Sequence, residues 1–169
     1  MQIEVVKNIK NNLFCIDFNF SEPPVIVGGR AMEFYDLRKS GEDIDLIVTD
    51  KDYQLLSERF PDNRKDIWGD LGVVLWPFEI WRSIMYFDYE FYCQEAVECE
   101  GLKIISLERL LLTRIYAMNV DKYKRDIELI KNRFLEKNAN HDFLKYSHER
   151  TSLYEKQAVI FAGKYDEIK

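Results

Sequence analysis

Asp43 and Asp45 stand two apart in Asp43-Ile44-Asp45-Leu46-Ile47-Val48, a stretch that alternates acid with apolar before turning wholly apolar. On an extended strand that spacing puts both carboxylates on one face, roughly 6 to 7 Å apart at the backbone. Like charges on a half-buried strand repel and call for a compensating cation. Magnesium suits them, because it prefers hard oxygen ligands and commonly takes one or two carboxylates together with substrate phosphates. Upstream, Gly28-Gly29 closes the apolar run Val25-Ile26-Val27. A strand-to-helix turn without side chains lets backbone amides approach a phosphate, and the next helix presents its positive end there. The two motifs together predict a magnesium and phosphate site.

Several elements must position these residues. Ile3, Val6, Ile9 and Phe14 recur at helical spacing over residues 2 to 16, and Ser21-Glu22-Pro23-Pro24 breaks the chain before the strand at 25 to 27. Arg30 to Lys39 reads as a helix, 43 to 48 as a strand, and 51 to 60 as a helix stopped by Pro61. Val73 to Trp76 and Phe78 to Trp81 predict a strand or hairpin interrupted by Pro77, which demands an edge or a bend. Lys103-Ile104-Ile105 predicts a short strand, and Ser106 caps a helix bearing Leu107, Leu110, Leu111 and Ile115. Tyr123, Ile127, Ile130 and Phe134 mark a further helix from Asp121, and 144 to 161 adds more. The expectation is an α+β fold of the small α/β kind: a short mixed sheet flanked by helices, with a helical C-terminal part. It forms a single domain over 1 to 169, the sheet-bearing core at about 20 to 106 and the helical tail at about 107 to 169.

Composition bounds the function. The 169 residues carry 47% apolar, 32% charged and 14% aromatic side chains, the balance of a folded globular chain. No stretch approaches the roughly 20 apolar residues that span a bilayer. Glu4, Lys7 and Lys10 interrupt the first apolar run, so no signal peptide is expected and a cytoplasmic location follows. Cys15, Cys93 and Cys99 are too widely spaced for a zinc site and read as reduced thiols. A net charge of −6 opposes sequence-blind binding to nucleic acid. RNA stays open only through a local cluster, Lys122, Lys124, Arg125, Lys131 and Arg133, which otherwise reads as a solvated helix face.

The segments Val25-Ile26-Val27-Gly28-Gly29-Arg30-Ala31 and Arg38-Lys39-Ser40-Gly41-Glu42-Asp43-Ile44-Asp45-Leu46 resemble the signature of the nucleotidyltransferase superfamily. Within it they look most like small bacterial proteins typified by the AbiEii toxins of toxin-antitoxin and phage-defence systems. Gly101 to Leu111 is similar to a strand-then-helix segment of those proteins, and Lys122 to Leu129 to a later helix whose pattern aspartate falls on Asp126. The likeness covers about 20 to 135. It departs in the Arg38 to Asp43 interval, one residue longer than the commonest form, and in Thr113-Arg114, where relatives usually carry a lysine.

The resemblance implies two magnesium ions held by Asp43 and Asp45 and a nucleoside triphosphate bound by Gly28, Gly29, Arg30, Arg38, Ser40 and Arg114. A third acid would activate the acceptor hydroxyl. Glu79, between Phe78 and Ile80, falls where that acid belongs, with Asp70 and Asp88 as competitors at apparent turns. The implied activity moves a nucleoside monophosphate to a hydroxyl acceptor, as in a toxin acting on tRNA or another cellular target and silenced by an antitoxin-like partner. A lincosamide- or aminoglycoside-modifying enzyme is the alternative, and a catalytically silent nucleotide- or protein-binding relative is a third reading. His141 and His148 read as surface residues, and the aromatic run from Tyr86 to Tyr92 as core, with stacking of a base as its alternative.

Overall fold

The computed structural model describes residues 2–117, 120–138, 149, 150, 152, 153 and 156. His141, His148 and most of the helix expected over 144 to 161 lie outside the described residues. The chain divides into two units, Met1–Ile130 and Lys131–Lys169. The first carries the sheet and every residue considered below. The fold is mixed α+β, with six helices and a seven-stranded mixed sheet among the described residues.

In chain order the elements are α1 (Gln2–Leu13), β1 (Val25–Ile26), α2 (Gly28–Phe34), β2 (Ile44–Ile47), α3 (Asp50–Arg59), β3 (Arg64–Ile67) and β4 (Asp70–Leu75). Then follow β5 (Phe78–Trp81), α4 (Tyr89–Cys93), β6 (Val97–Cys99), β7 (Leu102–Ile104), α5 (Leu107–Tyr116) and α6 (Asp121–Asn138). The sheet order is β3-β4-β5-β2-β1-β7-β6. β2 is antiparallel to β1 and parallel to β5, while β1 is parallel to β7. Val25, Ile26, Leu46, Ile47, Ile80 and Ile104 are fully buried in these central strands. Each fully buried aliphatic side chain contributes about 1.5 to 3 kcal/mol relative to exposure.

Helix phases differ from the sequence reading where a single apolar residue misled it. The buried stripe of α1 is Val6, Ile9 and Leu13, whereas Ile3 and Phe14 face solvent. In α5, Ser106 accepts the Arg109 amide as an N-cap. Its buried residues are Leu107, Leu110, Thr113 and Arg114, with Ile115 outside. The chain bends at Pro77, so β4 and β5 form a tight antiparallel hairpin with Leu75 opposite Phe78. β3, β6 and α4 were not expected. β3 has the sequence Arg-Lys-Asp-Ile, whose charged residues conceal a sheet edge.

Candidate functional site

β1 ends at Ile26, Val27 donates its amide to the Asp45 carbonyl at 3.1 Å, and the chain turns into α2 at Gly28. Gly28 has φ +62, the left-handed region that favours glycine. A Cβ there would lie 2.2 Å from Asp45 Oδ2. Glycine is therefore required twice over, by backbone conformation and by the carboxylate occupying the space. The amides of the first α2 turn have no acceptor within the helix.

β2 begins at Ile44, so Asp43 lies just outside the ladder and is exposed, while Asp45 sits inside it. The parallel register puts Asp45 beside Glu79 and Ile47 beside Trp81. Paired residues of neighbouring strands share a face, so the three acids converge at one end of the sheet. Burial, followed by the charges of Asp43 and Glu79, pushes the Asp45 carboxyl up to about 6. Arg114 acts in the opposite sense. So does the buried Trp81 indole N–H, which is near Asp45 yet has no well-formed acceptor.

Glu79 is not isolated. Lys65 Nζ donates to both of its carboxylate oxygens at 3.1 Å and lies over the Trp81 ring at 5.2 Å from the centroid. Lys65 is two strands away, and it reaches across because Gly72, between them, has no side chain. A Cβ on Gly72 would meet the Trp81 ring at 2.6 Å. The competitors for the third acid are engaged elsewhere. Asp88 caps α4, and Asp70 accepts from Ser83 Oγ and from the amides of Met85 and Tyr86.

Beside the acids lies a charge cluster of a different kind. Asp126, on α6, is fully buried and accepts from Arg38 Nε at 2.6 Å and Nη2 at 2.9 Å, while Arg114 Nε lies 3.2 Å from its other side. Arg114 also stacks over Tyr123 at 4.5 Å. Asp126 holds the Arg38 guanidinium above its usual range, with Asp43 adding to the effect. Two guanidiniums share one carboxylate, leaving a net positive charge next to the acid corner.

Arg30 and Ser40 are placed differently from expectation. Arg30 bonds Glu33 at 3.1 Å and the Glu42 carbonyl at 3.4 Å, and Ser40 donates to Glu33 at 2.5 Å. These bonds hold Glu33 below the usual carboxylate range, the Ser40 hydroxyl most strongly. Both side chains brace the loop between α2 and β2. Of the candidate residues, Gly28, Asp45 and Arg114 line one cleft of about 640 Å³. Trp68, Met85, Tyr86, Tyr116 and Tyr123 complete much of its wall. A further groove of about 330 Å³, beside the end of α1 and residues 17 to 24, borders none of the three acids.

Of the aromatic wall, the sequence pointed to the run that begins at Tyr86 but not to Trp68. Tyr89 and Tyr92 are indeed buried, but Tyr86 is exposed, and Trp68 stands at the tip of an unexpected hairpin. The available signal was Trp68-Gly69, a turn-like pair between alternating stretches. Comparison with protein-family models, curated proteins and solved structures found no match to this chain. No helix among the described residues is long and apolar enough to cross a membrane.

The acid corner offers hard oxygen donors, which suit magnesium better than a soft metal. Among the described residues no three His, Cys, Asp or Glu side chains converge on one metal position, as a structural zinc would require. Magnesium is content with one or two carboxylates and takes its remaining ligands from water and phosphates. A mostly buried carboxylate flanked by two acids, with no cation in direct contact, is the kind of donor such an ion would stabilise.

Proposed function

We propose that the cleft transfers a nucleoside monophosphate from a nucleoside triphosphate to a hydroxyl acceptor, breaking the α–β phosphoanhydride bond and releasing pyrophosphate, with magnesium held by Asp43 and Asp45. The observation that carries this reading is Asp45 itself: mostly buried, pressed against Gly28 and in register with Glu79. A bound magnesium ion would neutralise phosphate charge and lower the acceptor hydroxyl's pKa. Asp45 fixes the ligand position from a rigid strand, and Asp43 supplies a second oxygen donor at the rim. Arg114 and Arg38, oriented by Asp126, add positive charge beside the acids, where the triphosphate's charge is greatest. Glu79 receives the acceptor proton when Lys65 yields one of its oxygens.

The acceptor divides the reading. The resemblance to AbiEii-type toxins favours RNA and an antitoxin-like partner, whereas the acidic, aromatic character of the cleft favours an uncharged or cationic small molecule over a polyanion. A labelled-nucleotide transfer assay with total tRNA and with an aminoglycoside separates the two. The bidentate hold of Lys65 on Glu79 favours a second reading, a nucleotide-binding protein without transferase activity.

Calorimetric titration with a non-hydrolysable ATP or GTP analogue, with and without magnesium, tests the site. Magnesium-dependent binding abolished by Asp43→Ala and by Asp45→Asn is expected. Binding that ignores both the metal and the two substitutions overturns the reading. Binding without transfer to any acceptor selects the silent alternative.

A further inference from the structure

Trp68 and Gly69 form the two-residue link between β3 and β4, and both have positive φ, +54 and +100. Such hairpin links favour Asn, Asp and Gly. A bulky side chain in the left-handed region is a conformational outlier that costs on the order of 1 kcal/mol or more. Trp68 gains no burial in return, being 91% exposed. Its neighbour across the cleft mouth repeats the pattern. Met85 and Tyr86 are consecutive left-handed residues, φ +54 and +62, and Tyr86 is 76% exposed.

This strain is held in place by a dedicated set of bonds. Asp70 accepts from Ser83 Oγ at 2.9 Å, the Met85 amide at 2.5 Å and the Tyr86 amide at 3.0 Å. The Tyr86 hydroxyl donates to the Trp68 carbonyl. The Asp66 carboxylate accepts the Gly69 amide at 2.7 Å. Gly69 has no side chain where the Tyr86 ring lies, since a Cβ there would meet that ring at 3.0 Å. Two exposed rings are thus fixed at the mouth of the cleft that has Asp45 at its base.

The polar groups beside the two rings are largely engaged already, Asp70 by Ser83 and the Met85 and Tyr86 amides and the Tyr86 hydroxyl by Trp68. Farther in, Thr113 donates to the Leu110 carbonyl and Tyr92 to the Ile84 carbonyl, while Arg114 stands 3.2 Å from Asp126 with its Nε lacking a well-formed acceptor. The Trp81 indole N–H lies next to the Asp45 carboxyl, at the phosphate end. The mouth therefore offers flat aromatic faces and few free donors or acceptors for the edge of a ring.

We infer that Trp68 and Tyr86 form a stacking platform for the nucleobase of the bound triphosphate, one that grips the face of the base and leaves its edge unread. The inference rests on the proposed function and adds a substrate range to it: all four nucleoside triphosphates are accepted. Stacking on an aromatic side chain tolerates any base because every base has a π-face. A site that discriminates among bases aims fixed hydrogen-bonding groups at their edges.

The test titrates non-hydrolysable analogues of ATP, GTP, CTP and UTP, with tripolyphosphate as a probe lacking a base, all with magnesium. The full-length protein is compared with Trp68→Asn and Trp68→Phe. Asparagine tolerates the left-handed position, so Trp68→Asn is expected to fold and to melt no lower than the wild type. The four analogues should bind within about tenfold of one another. Trp68→Asn should weaken all four about fivefold or more and leave tripolyphosphate unchanged, and Trp68→Phe should restore much of the loss. Tripolyphosphate binding with undiminished analogue affinity in Trp68→Asn overturns the platform but not the function. A preference above about a hundredfold for one base also overturns it. Failure of both tripolyphosphate and the analogues to bind the wild type overturns the function and the platform together.

Discussion

Asp126 is fully buried and Asp45 mostly so, and the two share Arg114 as a charged neighbour, yet they are treated in opposite ways. Asp126 is clasped by two guanidiniums, three of whose nitrogens approach within 3.2 Å. Asp45 faces Asp43 and Glu79 with no cation in direct contact, and its carboxyl is pushed up to about 6. The first carboxylate ties α6, α5 and the 35–43 loop together. The second destabilises the ligand-free protein, and a bound cation would remove that penalty. Burial with the charge left unbalanced, and not burial alone, is what makes a carboxylate a candidate for a functional site.

The largest effect should come from breaking the balanced member. Asp126→Asn leaves two guanidiniums sharing no carboxylate, one of them buried, and is expected to cost about 3 to 5 kcal/mol of stability. Urea unfolding measures it, and a loss below 1 kcal/mol would show that Asp126 does not organise the cluster. Asp45→Asn should do the reverse. The rise from 3.8 to about 6 corresponds to a gain of at most about 3 kcal/mol above pH 6. The same variant should lose magnesium-dependent nucleotide binding.

A pH series sharpens the comparison, and its sign follows from the raised value. Between pH 3.8 and about 6 the folded state holds the Asp45 proton more tightly than the unfolded chain does, so this contribution to stability falls as pH rises through that window. Melting temperatures of wild type and Asp45→Asn should therefore converge near pH 4 and separate by pH 7. Magnesium should raise the wild-type value at pH 7 and have little effect near pH 4. A constant gap across this range would remove Asp45 from the explanation. The smallest effect is expected from Lys65→Met, because the Lys65–Glu79 pair is partly exposed and such pairs contribute about 0 to 1 kcal/mol. Its value lies in the transfer rate, whose pH dependence should change if Glu79 is the base that Lys65 restrains.

Much of the acid corner was legible in the sequence. Gly-Gly after an apolar run and Asp-x-Asp at a strand start are local patterns, and Glu79 between apolar residues reads as a strand acid. Sequence could not show that β2 starts one residue after Asp43, which separates an exposed donor from a half-buried one. Nor could spacing show the Arg38–Asp126 pair, whose members are 88 residues apart. The mixed sheet was expected in kind, but its β3 edge was hidden by charge. Trp68 was missed because a tryptophan in a left-handed hairpin link runs against turn preference. Local rules mislead where strain has been accepted.

β1 is only two residues long, yet it joins β2 on one side to β7 on the other, pairing Val25 with both Ile47 and Lys103. The strand that delivers Gly28 to Asp45 is thus completed by a segment nearly eighty positions later in the chain. Contacts of such sequence separation form slowly, because the intervening loop must be closed first. During synthesis the acid corner would lack one wall until β7 has left the ribosome, so a nascent chain is expected to gain ligand affinity only near the end of its first unit. Analogue binding to ribosome-stalled chains ending before and after β7 would measure that delay.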